Sequence, residues 1–248
     1  MFPIRDHNPS TQTPWVTYAL IATNVVVFLL YLPLMDDPRA LQQFFLTWGM
    51  VPARIASGDG YHTLVTSLFL HGGFMHLAGN MLFLWIFGDN LEEDLGRAGF
   101  LAFYLASGVG ADLIQMAAAP LSLIPTVGAS GAIAGVMGGY LLLYPRARVD
   151  ILFILFVFFK IIPVPAWVML GLWFALQVFS GVGADPDMGG VAYWAHAGGF
   201  LIGFLFMIPT FLRKGGTAFW TRTHGHPDHP EAKYKFQRSS VPTIDRRR

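Results

Sequence analysis

The chain has no cysteine among its 248 residues, and only 12% of them are charged. The first absence excludes disulfides, thiolate nucleophiles and cysteine-ligated metals. The second excludes an ordinary soluble domain, in which about 25% of residues are charged. Neither sign of charge is in excess: 16 Lys and Arg stand against 15 Asp and Glu, and a net charge of +1 gives no reason to expect a nucleic-acid partner. What is there instead is apolar surface, with 54% hydrophobic residues and a mean hydropathy of +0.51. That is the composition of a polytopic membrane protein, whose helices each need about 20 mostly apolar residues to cross a bilayer. Residues 1–13 carry no basic stretch followed by a short apolar run and a cleavage site, so no signal peptide is expected.

Glycine, proline and charged breaks divide the apolar sequence into six spans, at about 14–32, 74–91, 100–119, 128–144, 165–180 and 191–212. The expected fold is therefore an all-α, six-transmembrane helical bundle over residues 14–212. A polar lead of residues 1–13 precedes it, and a polar, basic tail of residues 213–248 with little to bury follows it. Residues 33–60 make a long first loop whose Phe44, Phe45, Leu46 and Trp48 let it dip into the membrane interface. Leu91–Arg97 is read as a charged loop. Ile151–Phe159 is apolar but too short to cross, so an interfacial or re-entrant piece is expected across residues 149–164.

Charge sets the orientation. Nine of the 16 Lys and Arg residues lie from Arg213 onward, and Arg5, Arg97, Arg146 and Arg148 fall on the same side of a six-span chain. Both termini are then cytoplasmic by the excess of basic residues on that side. The expected location is a bacterial plasma (inner) membrane, with the basic tail drawn to anionic lipid.

In this topology spans two, four and six all descend from the outer face. Each opens with polar residues that a bilayer tolerates only for a reason. Span two has His76 and Asn80, four apart and so on one helical face, with His71 in the loop before them. Span four opens with Gly128-Ala129-Ser130-Gly131, and span six with Ala195-His196-Ala197-Gly198-Gly199. Gly131, Gly135 and Gly139 make a stripe on one helix, and His196, Gly199 and Gly203 make another. Such stripes let two helices approach closely, whether for packing alone or to bring a hydroxyl within about 3 Å of an imidazole. Serine, histidine and an amide donor at one depth are the parts of an acyl-transfer site. Asp112 and Gln115 in span three fit either a polar pathway or hydrogen-bonded packing. His224, His226 and His229 in the tail fit either a metal site or a solvated cluster, and no cofactor or metal is expected.

Taken together, HGGFMHLAGN (residues 71–80), GASG (residues 128–131) and AHAGGFLIG (residues 195–203) resemble the rhomboid intramembrane serine proteases, over roughly residues 14–212. The resemblance implies Ser130 as nucleophile and His196 as its general base, without an acidic third member. It implies His76, Asn80 and the Ser130 backbone N–H as oxyanion donors, with His71 and Gly128 as candidate site-lining residues. Leu91-Glu92-x2-Leu95-Gly96 looks like the family's charged turn. The sequence departs from the family where some members carry tyrosine one turn after the nucleophile, since Ala134 stands there. It also lacks the Trp-Arg pair often found in the first loop. The implied activity is endoproteolysis within or near the transmembrane segment of single-span membrane proteins. The rival readings are a non-catalytic rhomboid-like protein that binds client helices and, further off, a small transporter. The sequence does not set the oligomeric state.

Overall fold

The computed structural model describes residues 2–155, 158–184, 189–227 and 230–234. It is mostly helical. A short strand β1 (Phe2–Asp6) leads into α1 (Trp15–Tyr31), and the first loop folds as α2 (Pro38–Trp48), α3 (Pro52–Ala56) and α4 (Thr63–Thr66). A 45-residue helix α5 (Phe74–Ala118) follows, then α6 (Ser130–Leu143). Strands β2 (Arg148–Leu155) and β3 (Phe158–Pro165) precede α7 (Ala166–Gly183), α8 (Tyr193–Arg213) and α9 (Thr217–Thr223).

Among the described residues, four helical stretches are long and apolar enough to cross a membrane: Trp15–Asp36, Phe74–Ala118, Ala166–Gly183 and Tyr193–Arg213. The helix α6 is apolar but shorter, at 14 residues. The expected charged loop at Leu91–Arg97 is helical up to Gly96, whose φ of 68° and ψ of 164° interrupt α5. The carboxylates there have partners that a free loop would not offer. Glu92 is buried and accepts from the Val16 and Thr17 N–H groups at 2.9 and 2.8 Å, closing the amino end of α1. Asp94 accepts from the Tyr144 hydroxyl at 2.6 Å and pairs with Lys214 at 2.6 Å.

The all-α expectation needs correction, because β1, β2 and β3 form a three-stranded antiparallel sheet in that order. Residues 149–164, expected as an interfacial or re-entrant piece, are instead most of a hairpin in which Val149 pairs with Val164 and Ile151 with Ile162. Rows of β-branched and aromatic residues favour the pleated arrangement. Residues 2–6 supply the third strand, and Asp150 on β2 takes both Arg5 (2.7 Å) and His7 (2.8 Å). The tail also begins by folding: Phe219 on α9 is fully buried, and the Trp220 indole donates to the Leu142 carbonyl at 3.0 Å.

The centre of the bundle is α6, with 12 of its 14 residues buried among α5 and α8. The two glycine stripes meet there. A Cβ at Gly199 would strike the Gly131 carbonyl oxygen, and one at Gly203 would strike the Gly135 carbonyl oxygen. Backbone therefore lies on backbone, which only glycine allows. The edge of the bundle is α7, on which three of 18 residues are buried.

Candidate active site

The amino-terminal ends of α5, α6 and α8 converge on one cavity of about 720 Å³, lined among others by His76, Asn80, Asp112, Gln115, Ser130 and His196. Ser130 is the first residue of α6, and its Oγ lies 2.8 Å from His196 Nε2 in the first turn of α8. The glycine contacts between α6 and α8 produce this distance. With bulkier residues at Gly199 and Gly203 the two helices would be forced apart, and the hydroxyl and imidazole with them.

Gly128 is needed for a different reason. Its φ of 138° is one that side chains rarely adopt, and a Cβ would press on the His76 ring at 2.9 Å. The approach to Ser130 is pinned by the Gly128 N–H donating to the Ser67 carbonyl at 3.0 Å, and by paired bonds between Met50 and Thr126 at 3.0 and 2.7 Å. The first turn of α6 then opens towards the cavity, where unbonded N–H groups and the helix dipole favour negative charge.

His76 and Asn80 line the same cavity, with the His76 ring beside Gly128. The Gly72 N–H donates to His76 Nδ1 at 3.4 Å, which leaves Nε2 as the ring's donor beside Gly128. Asn80 is buried, and its Nδ2 has no partner among the described residues. His71 is placed one layer back. It is fully buried behind His76, ring edge to face at 5.1 Å, and its backbone is clamped by the Tyr31 hydroxyl at 2.7 and 2.8 Å. Asp112 and Gln115 are hydrogen-bonded and also face the cavity. Asp112 accepts from the Ser67 hydroxyl at 2.8 Å, and Gln115 accepts from the Ala195 N–H at 3.1 Å.

Ala134 leaves no aromatic ring beneath His196 from α6. The ring is held from α7 instead, by Gln177 Oε1 at 2.9 Å from Nδ1 and by the Trp173 ring at 5.8 Å. Nothing in the sequence singles out either residue, since Gln177 stands there as a lone polar position in an apolar run. In the first loop, where the Trp-Arg pair is missing, Arg54 donates to the Leu46 carbonyl at 2.7 Å and Thr66 to the Trp48 carbonyl at 2.6 Å. Among the described residues no group of three or more His, Asp or Glu could hold a metal ion, and His229 lies outside them. His226 lies 3.0 Å from Glu231.

A helical membrane protein with a serine and a histidine in contact in the wall of a cavity that several polar residues also line is the class that these observations define. The sequence matches the Rhomboid domain over residues 58–213, and the chain belongs to the rhomboid family. It is 35% identical over 198 residues to the mitochondrial Rhomboid protein 1 of Saccharomyces cerevisiae, covering 77% of this chain and 52% of that one. It is 40% identical over 87 residues to the putative rhomboid protease YdcA of Bacillus subtilis, covering 35% of this chain and 43% of that one. It is also 34% identical over 128 residues to the rhomboid protease GluP of the same bacterium, covering 52% and 24%. The chain thus spans about half the length of the yeast relative. These names support a protease. Relatives from a yeast mitochondrion and from Arabidopsis thaliana do not support the expectation of a bacterial plasma membrane; an integral membrane protein is what the family and the apolar helices support.

Proposed function

We propose that this chain is an intramembrane serine endopeptidase that cleaves peptide bonds in or near the transmembrane segment of single-span proteins. The observation that carries the reading is the 2.8 Å contact between Ser130 Oγ and His196 Nε2 inside the cavity. Neutral His196 takes the hydroxyl proton through Nε2 as Oγ attacks the substrate carbonyl, and returns it to the leaving amine. The resulting oxyanion is met by the Ser130 N–H, His76 and Asn80, three donors from two helix ends already fixed before charge develops. Water then frees the acyl group by the same route, and the polar wall of Asp112 and Gln115 gives it a place to enter. A substrate helix has its backbone bonded internally, so it must unwind locally before its carbonyl can reach Ser130.

The accompanying topology has six crossings: α1, the two halves of α5 on either side of Gly96, then α6, α7 and α8. Both termini are cytoplasmic and the cavity lies near the outer face. The basic residues beyond Arg213 support this orientation. Labelling of the detergent-solubilised protein with a fluorophosphonate tests the chemistry. Wild type is expected to be labelled on Ser130, and Ser130→Ala to be unlabelled, equally folded and unable to cleave a reporter transmembrane substrate. Full cleavage by Ser130→Ala would sink the reading.

A further inference from the structure

A histidine can act as a base through only one nitrogen at a time, so whatever bonds the other nitrogen decides whether it is a base at all. Neutral imidazole carries one N–H. For His196 to accept the Ser130 proton at Nε2, that hydrogen must be on Nδ1. The Nδ1 partner is Gln177 Oε1, at 2.9 Å, reaching across from α7. Trp173, one turn earlier on α7, lies beside the same ring with planes inclined by 32°. His196 is therefore bracketed, with the nucleophile on one nitrogen and an α7 amide on the other.

We infer that Gln177 is the positioning residue for His196, its carbonyl oxygen accepting Nδ1–H and so holding the imidazole in the tautomer whose Nε2 can take a proton. The inference rests on the proposed Ser130–His196 reading. An amide is a selective device for this task because it has two ends. With Oε1 towards the ring, Nδ1 is the donor and Nε2 is free to accept. With the amide reversed, its NH2 donates to Nδ1, the ring proton moves to Nε2, and Ser130 faces a donor. The partner is uncharged, so it orients the ring without the ion pairing that a carboxylate would give to the imidazolium formed during reaction. With Ala134 where an aromatic ring would otherwise support the imidazole from α6, the α7 pair is the support that the structure provides.

The test needs a residue of similar length without a strong acceptor, Gln177→Met, and one that keeps the oxygen, Gln177→Glu. In ¹⁵N-histidine-labelled protein in detergent, with His196→Ala to assign the resonances, the wild-type His196 ring is expected to carry its proton on Nδ1. Gln177→Met should mix the tautomers, and Gln177→Glu should restore the Nδ1–H form. The rate of Ser130 labelling by a fluorophosphonate should fall roughly 10-fold in Gln177→Met, the scale of one lost hydrogen bond, and by more than any accompanying drop in melting temperature explains. With a transmembrane reporter substrate the loss should appear in kcat and not in KM. A wild-type ring protonated on Nε2 overturns the inference without any variant. So does a Gln177→Met protein labelled at the wild-type rate, or one whose rate falls only in step with its stability while Gln177→Glu behaves the same. Absence of Ser130 labelling in wild type is a different failure. It removes the protease reading, while the tautomer measurement still decides what Gln177 does to the ring.

Discussion

The helices α6 and α7 are both apolar, both contain glycine and both reach the proposed site, yet they are packed in opposite ways. On α6, Ala132, Ala134, Val136, Tyr140 and Leu143 are all closed off, and its glycines press on the α8 backbone, on Ala111 and on Ser107. On α7, Trp167, Leu172, Leu176, Phe179 and Val182 are all more than half exposed, and Gly171 and Gly183 have open space around them. The difference separates two jobs. The proposed nucleophile, Ser130, is placed by a helix whose position is over-determined, and the proposed base, His196, is contacted at Nδ1 by a helix held through a few contacts. In a bilayer this division costs little, because an exposed leucine on α7 meets lipid tails about as apolar as a protein core.

The comparison breaks most visibly at the α6–α8 contact. In Gly203→Ala the new methyl would overlap the Gly135 carbonyl, a backbone group with no rotamer to escape into. The helices must separate, and a loss of at least about 3 kcal/mol is expected, a large share of ordinary stability. The melting temperature in detergent should fall sharply, and Ser130 labelling with it. A stable, fully labelled Gly203→Ala protein would show that the close approach is dispensable.

A matched pair of leucines sharpens the same contrast at smaller scale. Leu143 on α6 is fully buried, whereas Leu176 on α7 is 52% exposed. Leu143→Ala should lose about 2 kcal/mol, the low end of the core range, since transfer from lipid adds little and mainly the cavity remains. Leu176→Ala should stay within about 0.5 kcal/mol. Denaturant unfolding of both variants in the same detergent measures the gap, and equal losses would mean that α7 is as tightly embedded as α6.

Legibility in the sequence followed the same division. The parts carried by local periodicity could be read: Ser130 and His196 head two glycine stripes at four-residue spacing, and His76 and Asn80 share a face. The structure brings all four to one cavity and lays the stripes backbone to backbone. What escaped depends on partners distant in the chain. Glu92 reads as one charge in an acidic loop until α1 is placed 75 residues away in sequence, where its first N–H groups need an acceptor. Gln177 reads as a blemish in an apolar helix until His196 is brought against it. The hairpin at β2 and β3 escaped because a short apolar run does not declare its period. Its β-branched residues and the prolines 163 and 165 were the available signal, but its third strand comes from residues 2–6, which look like a polar lead.

The smallest effect is expected where the same chemical change as Gly203→Ala is made on the other helix. Gly171 lies in the interior of α7, and a Cβ there would meet nothing within 4 Å. Alanine inside a helix is favoured over glycine by about 0.5–1 kcal/mol in water, because glycine loses more backbone freedom on folding. A membrane span keeps most of its helical structure even when its neighbours are lost, so that entropy is largely spent before α7 packs. Gly171→Ala should therefore change stability by between zero and a few tenths of a kcal/mol, in the stabilising direction. Ser130 labelling should proceed at the wild-type rate, since Gly171 is six residues before Gln177 and its position keeps clear of His196. The decisive comparison is the difference between the melting temperatures of Gly171→Ala and Gly203→Ala in one detergent. If Gly171→Ala falls as far as Gly203→Ala, α7 is pressed against the bundle at that point. The loose seating of the helix that carries Trp173 and Gln177 would then be wrong.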